Sequence, residues 1–308
     1  MASGNEIAAH HRRNGPGNSG TAGRATKGRG KGVGWDQPMK GKKEMPKFTF
    51  IDIESLWDPQ LHEAYLAIDP KGDRNTDRHG NIRHRLACRR VIAAAAFDVE
   101  VLDGGAIAIG GLRAWDEHQY GDEVEVVSRL FEHLRQRPDT HAVTWSGLAA
   151  DLPLLTLAAI EHRLVLPPQL RANMLHAARR GSWRPHIDLA LQMKGNGRDW
   201  SHMTEVGLRL GLPAELFAGK ADIAEPQSGK EWLAMRHRVG TDCILTAMIA
   251  LVYWRANGLI ALDQVAALHN IADWCLRNKA IAEAHEAPLA NLRAEMFRRM
   301  GDEWQEAV

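Results

Sequence analysis

Asp52 and Glu54 stand two residues apart in Lys47-Phe-Thr-Phe-Ile-Asp-Ile-Glu-Ser55. The rest of that stretch is apolar and rich in β-branched and aromatic residues, the pattern of a short buried strand. Side chains two apart in a strand share a face, so the two carboxylates project together. Burying like charges side by side is costly unless something positive lies between them. A divalent cation is the simplest answer, because hard cations take carboxylate oxygens. An edge strand carrying two solvated acids would leave the same pattern.

Two more acids sit where chemistry is possible. Asp151, in Thr144-Trp-Ser-Gly-Leu-Ala-Ala-Asp-Leu-Pro153, follows a strand-like run and a glycine turn and opens a helix. It could be a metal ligand or simply an N-cap. Asp242 lies near the start of an apolar helix carrying Ile244, Leu245, Met248, Ile249 and Val252. A lone acid there is capped, paired or bound to metal. His237 precedes Asp242 by five residues, which in a helix turns it roughly 140° away. Both could face one site if His237 lies on the helix entry, with Gly240 allowing a bend. The other reading is a surface histidine between the solvated Arg236 and Arg238. Arg238, four residues before Asp242, lies on nearly the same helix face.

Further elements are needed to carry these groups. After the first strand, residues 72–85 read as a polar loop or extended hairpin. Residues 89–101 and 105–114 are apolar runs separated by Leu-Asp-Gly-Gly, a hairpin signal. Helices are expected over 121–137, 152–163, 201–210 and 231–257, a strand over 141–145, and a strand or the start of one over 185–191. Two more helices follow, split at Pro288. The order gives a mixed α/β sheet, three antiparallel strands then parallel ones, flanked by helices.

The chain has 308 residues and a net charge of +1, unevenly spread. Residues 1–45 hold nine Lys/Arg, three acids and ten glycines, with almost no large apolar residue. They read as a disordered basic tail able to contact phosphates, or as a plain solvated tail. Residues 46–258 form the main domain and 259–308 a C-terminal helical extension, either packed on the core or forming an interface. Cys88, Cys243 and Cys275 are too few and scattered for a disulfide framework or zinc cluster and suit a reducing cytosol. The longest apolar run, 243–254, is too short for a membrane span, and no signal core opens the chain. Oligomeric state is not legible.

Taken in order, Phe-Ile-Asp-Ile-Glu-Ser, Thr-Trp-Ser-Gly-Leu-Ala-Ala-Asp-Leu-Pro-Leu-Leu and His-Arg-Val-Gly-Thr-Asp resemble the three motifs of the DEDD 3′–5′ exonuclease superfamily. The closer likeness is to stand-alone exonucleases related to the proofreading domain of family B DNA polymerases, and His186-Ile-Asp-Leu189 fits that group. The resemblance covers roughly residues 47–257. It implies a ribonuclease-H-like fold and a metal site of Asp52, Glu54, Asp151 and Asp242. Two ions, Mg²⁺ or Mn²⁺, would then drive an in-line phosphodiester displacement. His237 would be the general base. The expected substrate is the 3′ end of a single strand, DNA slightly ahead of RNA. Ser146, Trp57, Asp188 and Arg238 are candidate substrate contacts. The sequence departs from the pattern twice. Arg238 stands where those relatives usually carry Tyr, and Ser146 and Ala150 replace an Asn and an aromatic before Asp151. A catalytically weak nucleic-acid-binding module is the second reading.

Overall fold

The computed structural model describes residues 45–69, 85–171, 183–195, 197–217 and 225–306. The expected tail up to residue 44 and the expected loop at 72–84 lie outside them.

The central strand is β1 (Lys47–Trp57), buried on both faces along most of its length. Asp58 caps α1 (Pro59–Ile68), whose first helical residue is a proline. This helix was not expected; Leu61, Tyr65 and Ile68 recur along it at helical spacing, yet it buries none of its residues. β2 (Arg89–Val101) and β3 (Ile107–Asp116) form the expected hairpin. Their turn uses Gly104 and Gly105 at φ 80° and 85°, a region open to glycine. Short α2 (Glu117–Tyr120) leads to α3 (Glu123–Arg135), capped by Asp122. Then come β4 (Thr140–Thr144), α4 (Asp151–Glu161), α5 (Pro168–Arg171), β5 (His186–Asp188), α6 (Leu189–Lys194) and α7 (Met203–Arg209). The chain closes with α8 (Gly229–Ala256), α9 (Gln264–Arg277) and α10 (Lys279–Glu306). α9 and α10 are separated at Asn278, and α10 is itself kinked at His285, three residues before Pro288, where the split was expected.

The sheet order is β3-β2-β1-β4-β5. β1 pairs antiparallel with β2 and β2 with β3, while β1–β4 and β4–β5 are parallel. This is the ribonuclease-H-like mixed sheet that the motifs imply. Phe48, Phe50 and Leu56 face a core shared with α8, α9 and α10. Ile51 and Ile53 face a second core built from α3 and α4. The helices beyond residue 258 therefore share one core with the sheet. α8 is long and apolar enough to cross a membrane by length and composition, but 78% of that window is buried inside the fold.

Ala93 to Ala96 of β2 are fully buried, a run of poor strand formers in a central strand. Their small size lets α8 approach on one face and α3 on the other. Ala93 and Ala95 lie directly across from Glu54 and Asp52. Opposite residues of an antiparallel pair share a face, so the two acids have only methyl groups beside them on this side. The ladder bulges between Glu54 and Ser55, as strands often do beside functional sites.

Candidate active site

The β1–β4 ladder pairs only as far as Phe50 and Val143. Past that point β1 runs on through Asp52 and Glu54 while β4 ends, opening a crevice at the carboxyl ends of two parallel strands. Open α/β sheets place ligands there. Asp52 and Glu54 project on the side where α8 packs, and Asp242 of α8 comes down to meet them. Carboxylate oxygens of the three lie within 4.8 Å of one another. The donors are all hard oxygens, suited to a hard dication.

Asp151 is brought to the same place by the loop after β4. Ser146 adopts φ 58°, and Gly147 passes so close to Thr144 that a Cβ there would lie 2.4 Å from its Oγ1. Asp188 clamps this loop: its carboxylate accepts the backbone N–H groups of Ser146 (3.2 Å), Leu148 (3.0 Å) and Leu191 (3.0 Å). Asp188 was a candidate substrate contact. Its oxygens accept backbone N–H groups, so Asp188 caps α6 and ties down the loop that leads to Asp151. Asp151 does not cap its own helix, because the N-cap position belongs to Ala150, which makes no side-chain cap bond. Its carboxyl is pushed up to about 7 by desolvation, then by Glu54, Asp188 and Asp242. That is the signature of negative charge crowded together.

This crowding gives a stability prediction for the metal-free protein. A carboxyl whose folded value is raised costs nothing below its unfolded value near pH 4. The penalty grows from there to about pH 7 and then stays constant. Asp151→Asn should therefore stabilise the metal-free protein by about 1–3 kcal/mol at pH 8, after allowance for its contact with solvent, and by almost nothing at pH 4. Urea unfolding in a chelator at both pH values checks it; equal gains at the two would remove charge crowding as the cause.

Arg238 reaches the acids as well. Its Nε lies 2.9 Å from Glu54 Oε1, with both side chains largely buried. The contact is an ion pair between α8 and β1. His237 is placed differently from the expectation. α8 runs unbroken from Gly229, so His237 is on its third turn and no entry bend occurs at Gly240. Gly240 serves close packing there: a Cβ on it would meet Leu112 at 3.0 Å and Ile281 of α10 at 3.7 Å. His237 is held below its ordinary value by burial and by Arg236, with Glu283 of α10 opposing. Its Nε2 is buried without a hydrogen-bond partner among the described residues.

His285 was not singled out in the sequence. It breaks the helical path of α10 with φ −141° and ψ 27°, three residues before Pro288. A proline ring clashes with the carbonyl four residues back and leaves it unbonded, which accounts for the break. Pro288 was the available signal. His285 is half-buried and feels both His237 and Asp242. Cys243, next to Asp242, is fully buried, and burial with Asp52, Asp242 and Asp151 holds its thiol protonated. It is a wall of the site and no nucleophile. Trp57 is half-buried, with its ring 4.3 Å from that of His62. Glu123, Glu161 and His162 also cluster. Glu123, however, already accepts Val91 N–H at 2.6 Å and contacts His162 at 3.0 Å, so that group ties β2 to α4.

Comparison with known proteins adds to this geometry. A family described as a predicted 3′–5′ exonuclease related to the exonuclease domain of PolB matches residues 83–287. β1, which carries Asp52 and Glu54, lies before the matched stretch. Among solved structures, the family B DNA polymerase from the hyperthermophilic archaeon Pyrobaculum calidifontis is 15% identical with a TM-score of 0.39, over 78% of this chain and 29% of that one. The zinc-bound E. coli ExoI–ssDNA complex is 15% identical with a TM-score of 0.35, over 70% of this chain and 42% of that one. This chain spans less than half the length of either. No curated protein matches it significantly.

Proposed function

Because this chain belongs to the family of predicted 3′–5′ exonucleases related to the exonuclease domain of PolB, we propose that it hydrolyses phosphodiester bonds at the 3′ end of single strands, DNA ahead of RNA, releasing nucleoside monophosphates. The observation that carries this reading is the meeting of Asp52 and Glu54 from β1 with Asp242 from α8 beside a crevice that also receives Asp151. When bound, two divalent cations, Mg²⁺ or Mn²⁺, supply the charge that activates water and steadies the departing 3′-oxygen. Asp52, Glu54 and Asp242 hold that charge from the β1–α8 side. Asp151 completes the ligand set, and pairing with a cation relieves the repulsion it carries. The base we assign is His237, whose neutral form is favoured by its surroundings and whose buried Nε2 is available for a proton. Three free, buried cysteines support a reducing, cytoplasmic setting.

End-labelled single-stranded DNA and RNA, incubated with the protein and Mg²⁺ or Mn²⁺, test the reading directly. Stepwise loss of mononucleotides from the 3′ end is expected, faster on DNA. Tight binding of either strand with no release in any metal would make the chain a binding module instead.

The tail has a separate expected effect. Deleting residues 1–45 removes a net charge of +6. Binding to single strands should weaken, and the slope of log affinity against log salt should flatten by a few units, since each phosphate contact contributes about 0.7. Turnover at saturating substrate should survive. An unchanged salt slope would show that the tail does not touch nucleic acid.

A further inference from the structure

Glu54 faces two possible partners. Its carboxylate is one of three whose oxygens lie close enough to share a cation, and the same carboxylate sits 2.9 Å from the Arg238 guanidinium. Arg238 and Asp242 stand four residues apart on α8, which places them one above the other on the same face. The guanidinium is therefore fixed beside the acids by the helix itself. Glu54 is only 9% exposed, so a charge there without a counter-ion would be costly, and Arg238 supplies one. A dication entering the same group meets that positive charge. It must displace the guanidinium from Glu54 or bind against its repulsion, and either lowers its affinity.

We infer that Arg238 competes with a divalent cation for Glu54 and so sets the metal concentration at which the site becomes active. Arg238 is thus a positioning residue with two tasks: it holds Glu54 in place and raises the metal threshold. The inference rests on the exonuclease reading, since it takes the acids as metal ligands.

The test is Mn²⁺ binding to the full chain without nucleic acid, followed by isothermal calorimetry. Arg238→Gln removes the charge and keeps polar contact. Arg238→Met, which keeps the stem, serves as a second neutral variant should the first fail to fold. Either should bind Mn²⁺ at least about tenfold more tightly than wild type, the size expected for losing one nearby like charge at a partly solvated site. Arg238→Lys should stay close to wild type. Equal or weaker binding by the neutral variants, with binding lost in Asp242→Asn, overturns the competition and leaves the metal site standing. Absence of Mn²⁺ binding in wild type, or full binding in Asp242→Asn, overturns the metal site and the competition together.

Discussion

Asp52→Ala, Glu54→Ala, Asp151→Ala and Asp242→Ala should each reduce nucleotide release by at least about 10³-fold, equivalent to about 4 kcal/mol of transition-state stabilisation. The four oxygen donors act as one unit on the same charge, so single losses should be as damaging as pairs. The fold should survive, because these side chains belong to the crevice and not to either apolar cluster. Metal provides the control. Wild type should gain thermal stability on adding Mn²⁺, as any protein does with a ligand that binds only its folded state, and the four variants should gain little. A variant that kept near-normal release and its Mn²⁺ shift would leave the site without that residue.

How far the site could be read from the sequence follows from where its residues lie. Asp52 and Glu54 were legible because a strand has a period of two, and that period alone puts them on one face. Asp242 stood out as an acid on an apolar helix. Asp151 was ambiguous between ligand and cap. It does not cap its helix, and the loop that carries it toward the other acids is clamped by Asp188, a contact between residues about 40 apart. The same contact gives Asp188 a part in shaping the loop, which nothing local could have indicated. The Arg238–Glu54 pair joins a helix to a strand far away in sequence and was not visible in either. α1 differs again: Leu61, Tyr65 and Ile68 recur at helical spacing, but the helix buries none of its residues. The alanines of β2 read as a strand through their flanks, but their purpose, leaving room beside the two acids, needs the register with β1.

The helix carrying His237 separates two accounts of proton transfer. If His237 is the base, only its neutral form works, so activity should rise with pH and level off above its pKa. Burial and Arg236 lower that value from the ordinary 6.5, so the rising limb should lie on the acid side of it. His237→Ala should then cost about 10²–10⁴ in rate, the usual contribution of a positioned acid–base group, and should flatten the limb. Mn²⁺ affinity should hold, because His237 is not among the converging carboxylates. The opposing account starts from the unbroken helix. Five steps turn His237 about 140° from Asp242, toward α10, while Arg238 lies almost above Asp242 and against Glu54. On that account water loses its proton without a side-chain base, and Arg238 meets the substrate phosphate. His237→Ala would then retain most of its activity and an unchanged pH profile, and Arg238→Ala would be the more damaging change. Rates of both variants across pH at saturating Mn²⁺ separate the two. Saturation matters, because the competition proposed for Arg238 alters metal loading at lower concentrations and would otherwise be mistaken for a change in the chemical step.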